Sequence, residues 1–267
     1  MISIVHLGRI DYAAGLRVQQ ELVELRKAGR IGDVLLLLEH TPVITLGRNA
    51  KAANILFSLE QLALRGVEVF ESNRGGDVTF HGPGQLVGYP IIDLRGFASS
   101  QLSAVGSQEK PGRKTLGAVD YVRQLEEMLI RTCNDFGIAT KRVLDLTGTW
   151  TEAIPESKIA AIGVHISRFV TSHGFALNVN TDLSFFNLIV PCGIASKPVT
   201  SMKQELGREI DMSAVAESAA RNFAAVFGSE MRRVETLDAL LEHSVGVPAR
   251  APEELRKMHG VDEIFRA

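Results

Sequence analysis

Cysteine, tryptophan and long apolar runs are scarce in this chain. Its 267 residues include two cysteines, one tryptophan and only 6% aromatic residues. Two cysteines, Cys133 and Cys192, are too few for a disulfide framework, and the expectation is a reduced, cytosolic protein. The densest apolar run, Val34 to Leu38, falls far short of the ~18 residues that a membrane span needs. The start, Met1-Ile2-Ser3-Ile4-Val5-His6, has no charged segment ahead of an apolar stretch, so no secretory signal is read there. A charge excess is missing too. Against 31 Asp and Glu stand 29 Lys and Arg, a net charge of −2, without the basic surplus a nucleic-acid binder uses against phosphates. No histidine pair has zinc-finger or zincin spacing, no Gly-x-Ser-x-Gly elbow occurs, and no internal repeat is visible.

What is present is an ordinary globular composition, 45% hydrophobic and 22% charged, long enough to bury a core without staples. Strands and helices interleave along the chain, which predicts a mixed α/β or α+β domain. A helix is expected from Tyr12 to Lys27 with Asp11 as N-cap, then strands at Asp33 to Glu39 and Val43 to Leu46. Ser58-Leu59-Glu60-Gln61 has the pattern of a capping box, and Val67 to Ser72 alternates as a strand. Residues 75–94 read as two strands joined by the turn Gly82-Pro83-Gly84. Val119, Val122, Met128, Leu129, Cys133 and Phe136 mark the apolar stripe of a helix that Gly137 ends. Strands follow near Thr149–Glu152, Lys158–Ser167 and Ser172–Val179, and helices at Met202–Leu206, Ala214–Phe227 and Leu237–Glu242. Residues 98–115 read as a surface insertion. Residues 1–228 form the expected main domain, and 229–267 a helical extension.

Two segments carry chemistry. Arg74-Gly75-Gly76-Asp77-Val78-Thr79-Phe80-His81-Gly82-Pro83-Gly84-Gln85 holds four glycines, which allow turns and close approach of backbone to a ligand. No Lys-Ser/Thr pair follows, and Gly-x-Gly-x-x-Gly is absent, so it is neither a P-loop nor a dinucleotide fingerprint. A plain hairpin around Gly82-Pro83-Gly84 satisfies the same composition. In the second segment, Pro191-Cys192-Gly193, a rigid loop presents a thiol. A nearby cation such as Lys158 lowers a thiol pKa and raises its thiolate fraction. Cys192 by itself also fits a small buried apolar residue, the reading given to Cys133 on its helix stripe. His165 and His173 fall in β segments, where a satisfied polar group is the plainer reading.

The Arg74–Gln85 string resembles the signature of the lipoyl(octanoyl) transferase family. Four further stretches resemble that family's motifs in the same order: Thr41-Pro42-Val43-Ile44-Thr45-Leu46-Gly47-Arg48, Lys158-Ile159-Ala160-Ala161-Ile162-Gly163-Val164, His173-Gly174-Phe175-Ala176-Leu177-Asn178-Val179 and Pro191-Cys192-Gly193-Ile194. The likeness covers residues 4–206. It implies the mixed sheet flanked by helices that biotin and lipoate protein ligases share, a catalytic pair at Cys192 and Lys158, and no cofactor, metal or nucleotide. It implies substrate contacts from Arg74, Gly75, Gly76, Asp77, Val78, Thr79, Phe80 and His81, from Ala161, Ile162 and Gly163, and from Gly174, Phe175 and Ala176. The insertion and the tail depart from the family pattern.

The chemistry so implied is transfer of an octanoyl group from octanoyl-acyl carrier protein to a lysine ε-amine. The acceptors are lipoyl domains of 2-oxoacid dehydrogenases or the glycine-cleavage H protein. Cys192 carries the acyl group as a thioester, Lys158 shuttles protons, and backbone N–H groups stabilise the oxyanion. The small residues Ala160, Ala161, Gly163, Gly174 and Ala176 leave room for an eight-carbon chain, and Lys141, Arg142 and Arg168 are candidates to meet an acidic carrier. A cytoplasmic monomer is expected, with no membrane or nucleic-acid partner. Three rivals stand beside this reading: an ATP-dependent lipoate or biotin ligase, an amidotransferase between carriers, and a non-enzymatic carrier-binding scaffold. The biotin-ligase string Gly-Arg-Gly-Arg-x-Gly-Arg is missing; Leu46-Gly47-Arg48-Asn49 comes nearest.

Overall fold

In a computed structural model of the chain, residues 1–97, 115–190 and 197–245 are described, side chains through 241. Cys192 with its Pro-Cys-Gly-Ile motif, the insertion at 98–114 and the tail from 246 lie outside the described residues. The elements follow in order: β1 Ile2–Ile10, α1 Tyr12–Lys27, β2 Asp33–His40, β3 Val43–Leu46, α2 Leu59–Ala63, β4 Glu68–Glu71, β5 Val78–His81, β6 Gln85–Ile91, α3 Ala118–Asp135, β7 Thr140–Val143, β8 Leu146–Thr151, β9 Lys158–Ser167, β10 Val170–Asn178, α4 Met202–Leu206, α5 Met212–Val226, β11 Met231–Val234 and α6 Leu237–Val245.

Local chemistry sets the element ends. The Asp11 carboxylate accepts from the Ala14 N–H at 2.7 Å and opens α1. Ser58 and Gln61 form the expected reciprocal capping box of α2. Leu35, Leu36 and Leu37 of β2 are all fully buried, because helices cover both faces of that strand and an unbroken apolar run can be used.

An eight-stranded mixed sheet runs β11-β1-β2-β6-β10-β9-β8-β7. β11, β1 and β2 are parallel, and every pair from β2–β6 onward is antiparallel. On one face, α3 and α5 bury Leu125, Met128, Leu129, Val215 and Phe223 against Leu35, Leu37, Phe175 and Leu177. On the other, α1 and α6 bury Val18, Leu22, Leu237 and Leu240 against Leu36, Leu38, Val87 and Tyr89. A second sheet, β4-β3-β5, builds its own small core with α2 and the 3-10 turn at Leu183–Leu188.

Three expectations need correction. The strands on either side of Gly82-Pro83-Gly84 are not hairpin partners: β5 pairs with β3 in the small sheet, whereas β6 pairs with β2 and β10 in the large one. The turn passes the chain from one sheet to the other. Val119 is 72% exposed; the buried stripe of α3 begins at Tyr121. The segment after Gly228 is not wholly helical. It opens with β11, which pairs with β1, and α6 sends Leu237, Leu240 and Leu241 into the core.

Candidate active site

Where the small sheet leans over the large one, they enclose a cavity of about 500 Å³, counting its open mouth. Three neighbouring strands lay its floor. Ala161 on β9 pairs with Ala176 on β10, and Ala176 pairs with Val87 on β6. Two residues along, Gly163 faces Gly174, and Tyr89 follows Val87 on the same side of β6. The floor is therefore flat over β9 and β10 and rises at β6.

The signature segment is the roof. Gly75 N–H donates to Val164 O at 2.9 Å, pinning the segment's start over β9. A β-carbon on Gly163 would lie 2.8 Å from Gly75 O and 3.1 Å from Arg74 Cδ, so only glycine admits this approach. Buried Arg74 locks the turn: its guanidinium donates to Thr45 O at 2.6 Å, Thr45 Oγ1 at 2.9 Å and Gly75 O at 3.1 Å. Along β5 the side chains alternate. Thr79 and His81 face the cavity, whereas Val78 and Phe80 enter the small core, where Phe80 stacks on Phe185 at 4.8 Å.

Aromatic and imidazole rings close the end above β6. Tyr12 lies parallel to His81, ring centres 6.3 Å apart, and meets His40 edge-on at 5.2 Å. His40 contacts Ile10 O through Nδ1 at 3.1 Å, so Nδ1 carries the proton and Nε2 accepts from Tyr89 OH at 2.6 Å. The Gln85 amide group donates to Phe80 O and Asn178, leaving Gln85 Oε1 to accept from His81 Nδ1 at 2.8 Å. His81 Nε2 thus holds the lone pair. His173, in the left-handed region at φ 55°, is held by Asn73 Oδ1 on its ring at 2.6 Å and by Gln19 Oε1 on its backbone at 2.7 Å. Burial lowers all three imidazoles, His40 to about 4 and His81 and His173 to about 3, with the Arg74 charge adding to the last two. The end wall is neutral.

Ionisable chemistry gathers at the start of β9, beyond the residues that line the cavity. Lys158 begins β9; its N–H donates to Pro198 O and its carbonyl accepts from Thr200. Its Nζ stands 4.8 Å from the centre of the Trp150 ring, with Lys197 Nζ at 5.7 Å from the same ring. Gly148, at φ 118°, packs its backbone against β9, where a β-carbon would lie 2.5 Å from Ala160 O, and Lys158 Cε passes at an ordinary contact distance of 3.5 Å from the same point. Gly148 N–H is held by Glu126, a fully buried carboxylate paired with Arg123 at 2.7 Å and Arg142 at 3.2 Å. Val190 N–H donates to Asn54 O, and Asn54 Nδ2 donates to Asp77 on the cavity rim at 2.7 Å. The segment that holds Cys192 thus leaves the described chain beside Asp77 and rejoins it beside Lys158.

Of the sequence-predicted substrate residues, Arg74, Gly76, Asp77, Thr79, His81, Ala161, Ile162, Gly163, Gly174, Phe175 and Ala176 border this cavity. Gly75, Val78 and Phe80 do not; Gly75 serves as the pin and the other two as core. Tyr12, Val87 and Tyr89 border it too, although no motif in the sequence marks them, and so does His173, whose place in a β segment points to a satisfied polar group. The candidate carrier contacts Lys141 and Arg142 are engaged within the fold, with Glu156 at 3.4 Å and with Glu126 and Glu127. Among the described residues no cluster of three or more His, Cys, Asp or Glu could hold a metal ion, and no helix is long and apolar enough to cross a membrane.

The architecture and its trough define the class: the lipoate protein ligase fold. The chain superposes with TM-score 0.67 on lipoate-protein ligase A bound with ATP, covering 96% of this chain and 99% of that one at 12% identity. It superposes with TM-score 0.65 on a bi-partite lipoate protein ligase from Thermoplasma acidophilum, covering 94% and 99% at 14% identity. Residues 11–224 match the model of the lipoyl protein ligase A/B catalytic domain, and the chain belongs to that family. Similar relatives include the octanoyltransferases of Koribacter versatilis, 55% identical over 98% of both chains, and of Acidobacterium capsulatum, 57% identical over 90% of this chain and 96% of that one.

Proposed function

We propose that this chain is an octanoyltransferase of lipoate biosynthesis that works by an acyl-enzyme on Cys192. The Cys192 thiolate attacks the thioester carbonyl of octanoyl-acyl carrier protein. The bond to the carrier sulfur breaks, and Lys158 delivers a proton to that leaving thiolate. The ε-amine of a lysine on a lipoyl domain then attacks the enzyme thioester, Cys192 Sγ departs, and Lys158 takes up the amine proton. An amide replaces a thioester, which runs downhill without ATP. The acceptors are lipoyl domains of 2-oxoacid dehydrogenases and the glycine-cleavage H protein, met by a cytoplasmic monomer.

The observation that carries this reading is the convergence at β9. The described residues flanking the Cys192 segment reach Lys158 on one side, where Pro198 O accepts from the Lys158 N–H, and Asp77 of the cavity lining on the other, through Val190 and Asn54; the strand that Lys158 begins also lays Ala161 and Gly163 in the trough floor. The names of relatives more than half identical over nearly the whole chain support it independently.

Intact-protein mass spectrometry tests it. The protein is mixed with octanoyl-acyl carrier protein without ATP, alongside Cys192→Ala. One hydroxylamine-sensitive octanoyl adduct on the wild type and none on the variant is the expected result. Modification of a lipoyl domain only when ATP and free octanoate are supplied overturns the reading in favour of a ligase.

A further inference from the structure

The cavity has a measurable length. Its flat bed is two strands wide, Ala161 and Gly163 on β9 and Ala176 and Gly174 on β10, and the first bulky side chains beyond it are Val87 and Tyr89 on β6. Strands lie about 4.8 Å apart, so the bed from β9 to β6 spans roughly 10 Å, close to the reach of an extended eight-carbon chain. Past that point the space is filled. Val87 is 1% exposed and Tyr89 4%, and Tyr89 is fixed through its hydroxyl to His40. The roof runs the same way, from Gly75 over β9 to His81 beside Tyr12. One end of the trough therefore lies over β9, the strand that Lys158 begins, and the other is a wall.

We propose that Val87 is the stop that sets acyl-chain length, with Ala161 and Ala176 as the bed on which the chain lies. The inference rests on the acyl-transfer reading for the chain's orientation, carbonyl at β9 and methyl end at β6. Tyr89 cannot yield without breaking its bond to His40, whereas Val87 meets the cavity with two methyl groups and no polar tie. Removing those methyls opens room for about two more carbons. Each buried methylene is worth about fourfold in binding, so a chain two carbons longer should gain roughly fifteenfold relative to octanoyl. A branched side chain at 176 raises the middle of the bed and should exclude any chain that must cross β10.

The test uses Val87→Ala, Ala176→Val and Ala161→Val in the full chain, each with circular dichroism and a melting curve. Calorimetry measures binding of straight-chain carboxylates of six to twelve carbons, and transfer assays use the matching acyl-carrier proteins. The expected profile peaks at eight carbons in the wild type and moves to ten in Val87→Ala; octanoyl binding falls at least tenfold in both valine variants, with hexanoyl holding better in Ala176→Val and every length falling alike in Ala161→Val. If Val87→Ala does not fold, Val87→Leu decides, with a peak expected below eight carbons. An unchanged length profile in the folded Val87 variant overturns the inference even while octanoyl is transferred. A shifted binding profile in a protein that transfers no octanoyl supports the ruler and overturns the transferase reading.

Discussion

Lys158 is held at both its main chain and its ammonium. Its backbone pairs with Pro198 and Thr200, and its Nζ sits over the Trp150 ring. A cation over an indole gains about 0.5–2 kcal/mol, so Trp150 is a positioning residue for the ammonium. Trp150→Phe keeps an aromatic face and should retain most transfer activity. Trp150→Leu should lower kcat by roughly tenfold with KM little changed; steady-state kinetics on both variants, with melting temperatures, checks this. A second single-residue expectation concerns Gly163. Its alanine variant would press on Gly75 O and Arg74 and should lose carboxylate binding in calorimetry with the fold retained. At this scale the sequence was informative where the site is contiguous. Residues 74–81 announce themselves by their glycines, and Ala161–Gly163 and Gly174–Ala176 by small size. Tyr12, Val87 and Tyr89 carry no such mark. They reach the cavity only because α1 and β6 are brought beneath the signature segment by pairings far apart in the chain, and no local spacing encodes that. The three histidines of the end wall have the same origin.

At the scale of elements, capping was the most legible feature. Asp11 and Ser58 stand at helix starts with the expected bonds. Ser58→Ala should cost about 1 kcal/mol, a fall of roughly 2–4 °C in Tm for a chain of this size, with the octanoyl-transfer rate unaltered; a thermal melt and the transfer assay check both. Strands were harder. β1 is hard to read because Ile2-Ser3-Ile4-Val5-His6 is short of turn signals at its start, and β11 because Met231-Arg232-Arg233-Val234 is a four-residue edge strand with two arginines, a composition that edges favour and strand rules penalise. Gly82-Pro83-Gly84 misled for a different reason. A tight turn between two β-forming stretches looks alike whether the strands then pair or part, and the choice is made by β3 on one side and by β2 and β10 on the other. Val119 fits the period of α3 but falls in its first turn, ahead of the face covered by α5.

For the molecule as a whole, three buried neutral histidines tie stability to pH. An unfolded chain protonates each imidazole near pH 6.5, while the folded protein resists down to about 4 at His40 and about 3 at His81 and His173. Below pH 6.5 the unfolded state therefore binds more protons, so this contribution is complete above 6.5 and is lost as the pH falls toward 4 for His40 and toward 3 for His81 and His173. The slope reaches about 1.4 kcal/mol per pH unit for each histidine, so urea midpoints should hold between pH 7 and 8 and drop steeply from pH 6 to 5. A midpoint flat to pH 5 contradicts neutral burial. The mixed fold class was legible from the interleaving of elements, but the order of the eight strands was not, since it joins segments from opposite ends of the sequence. That joining has a consequence during synthesis. β1 finds β2 within the first forty residues, yet its other edge is met only by Met231 to Val234. On the ribosome the nascent sheet carries a bare parallel edge until Met231 to Val234 have been translated. A ribosome that stalls before β11 releases a chain whose open edge is a template for strands of its neighbours, so premature products of this gene should be found in the insoluble fraction even when they contain every residue of the trough.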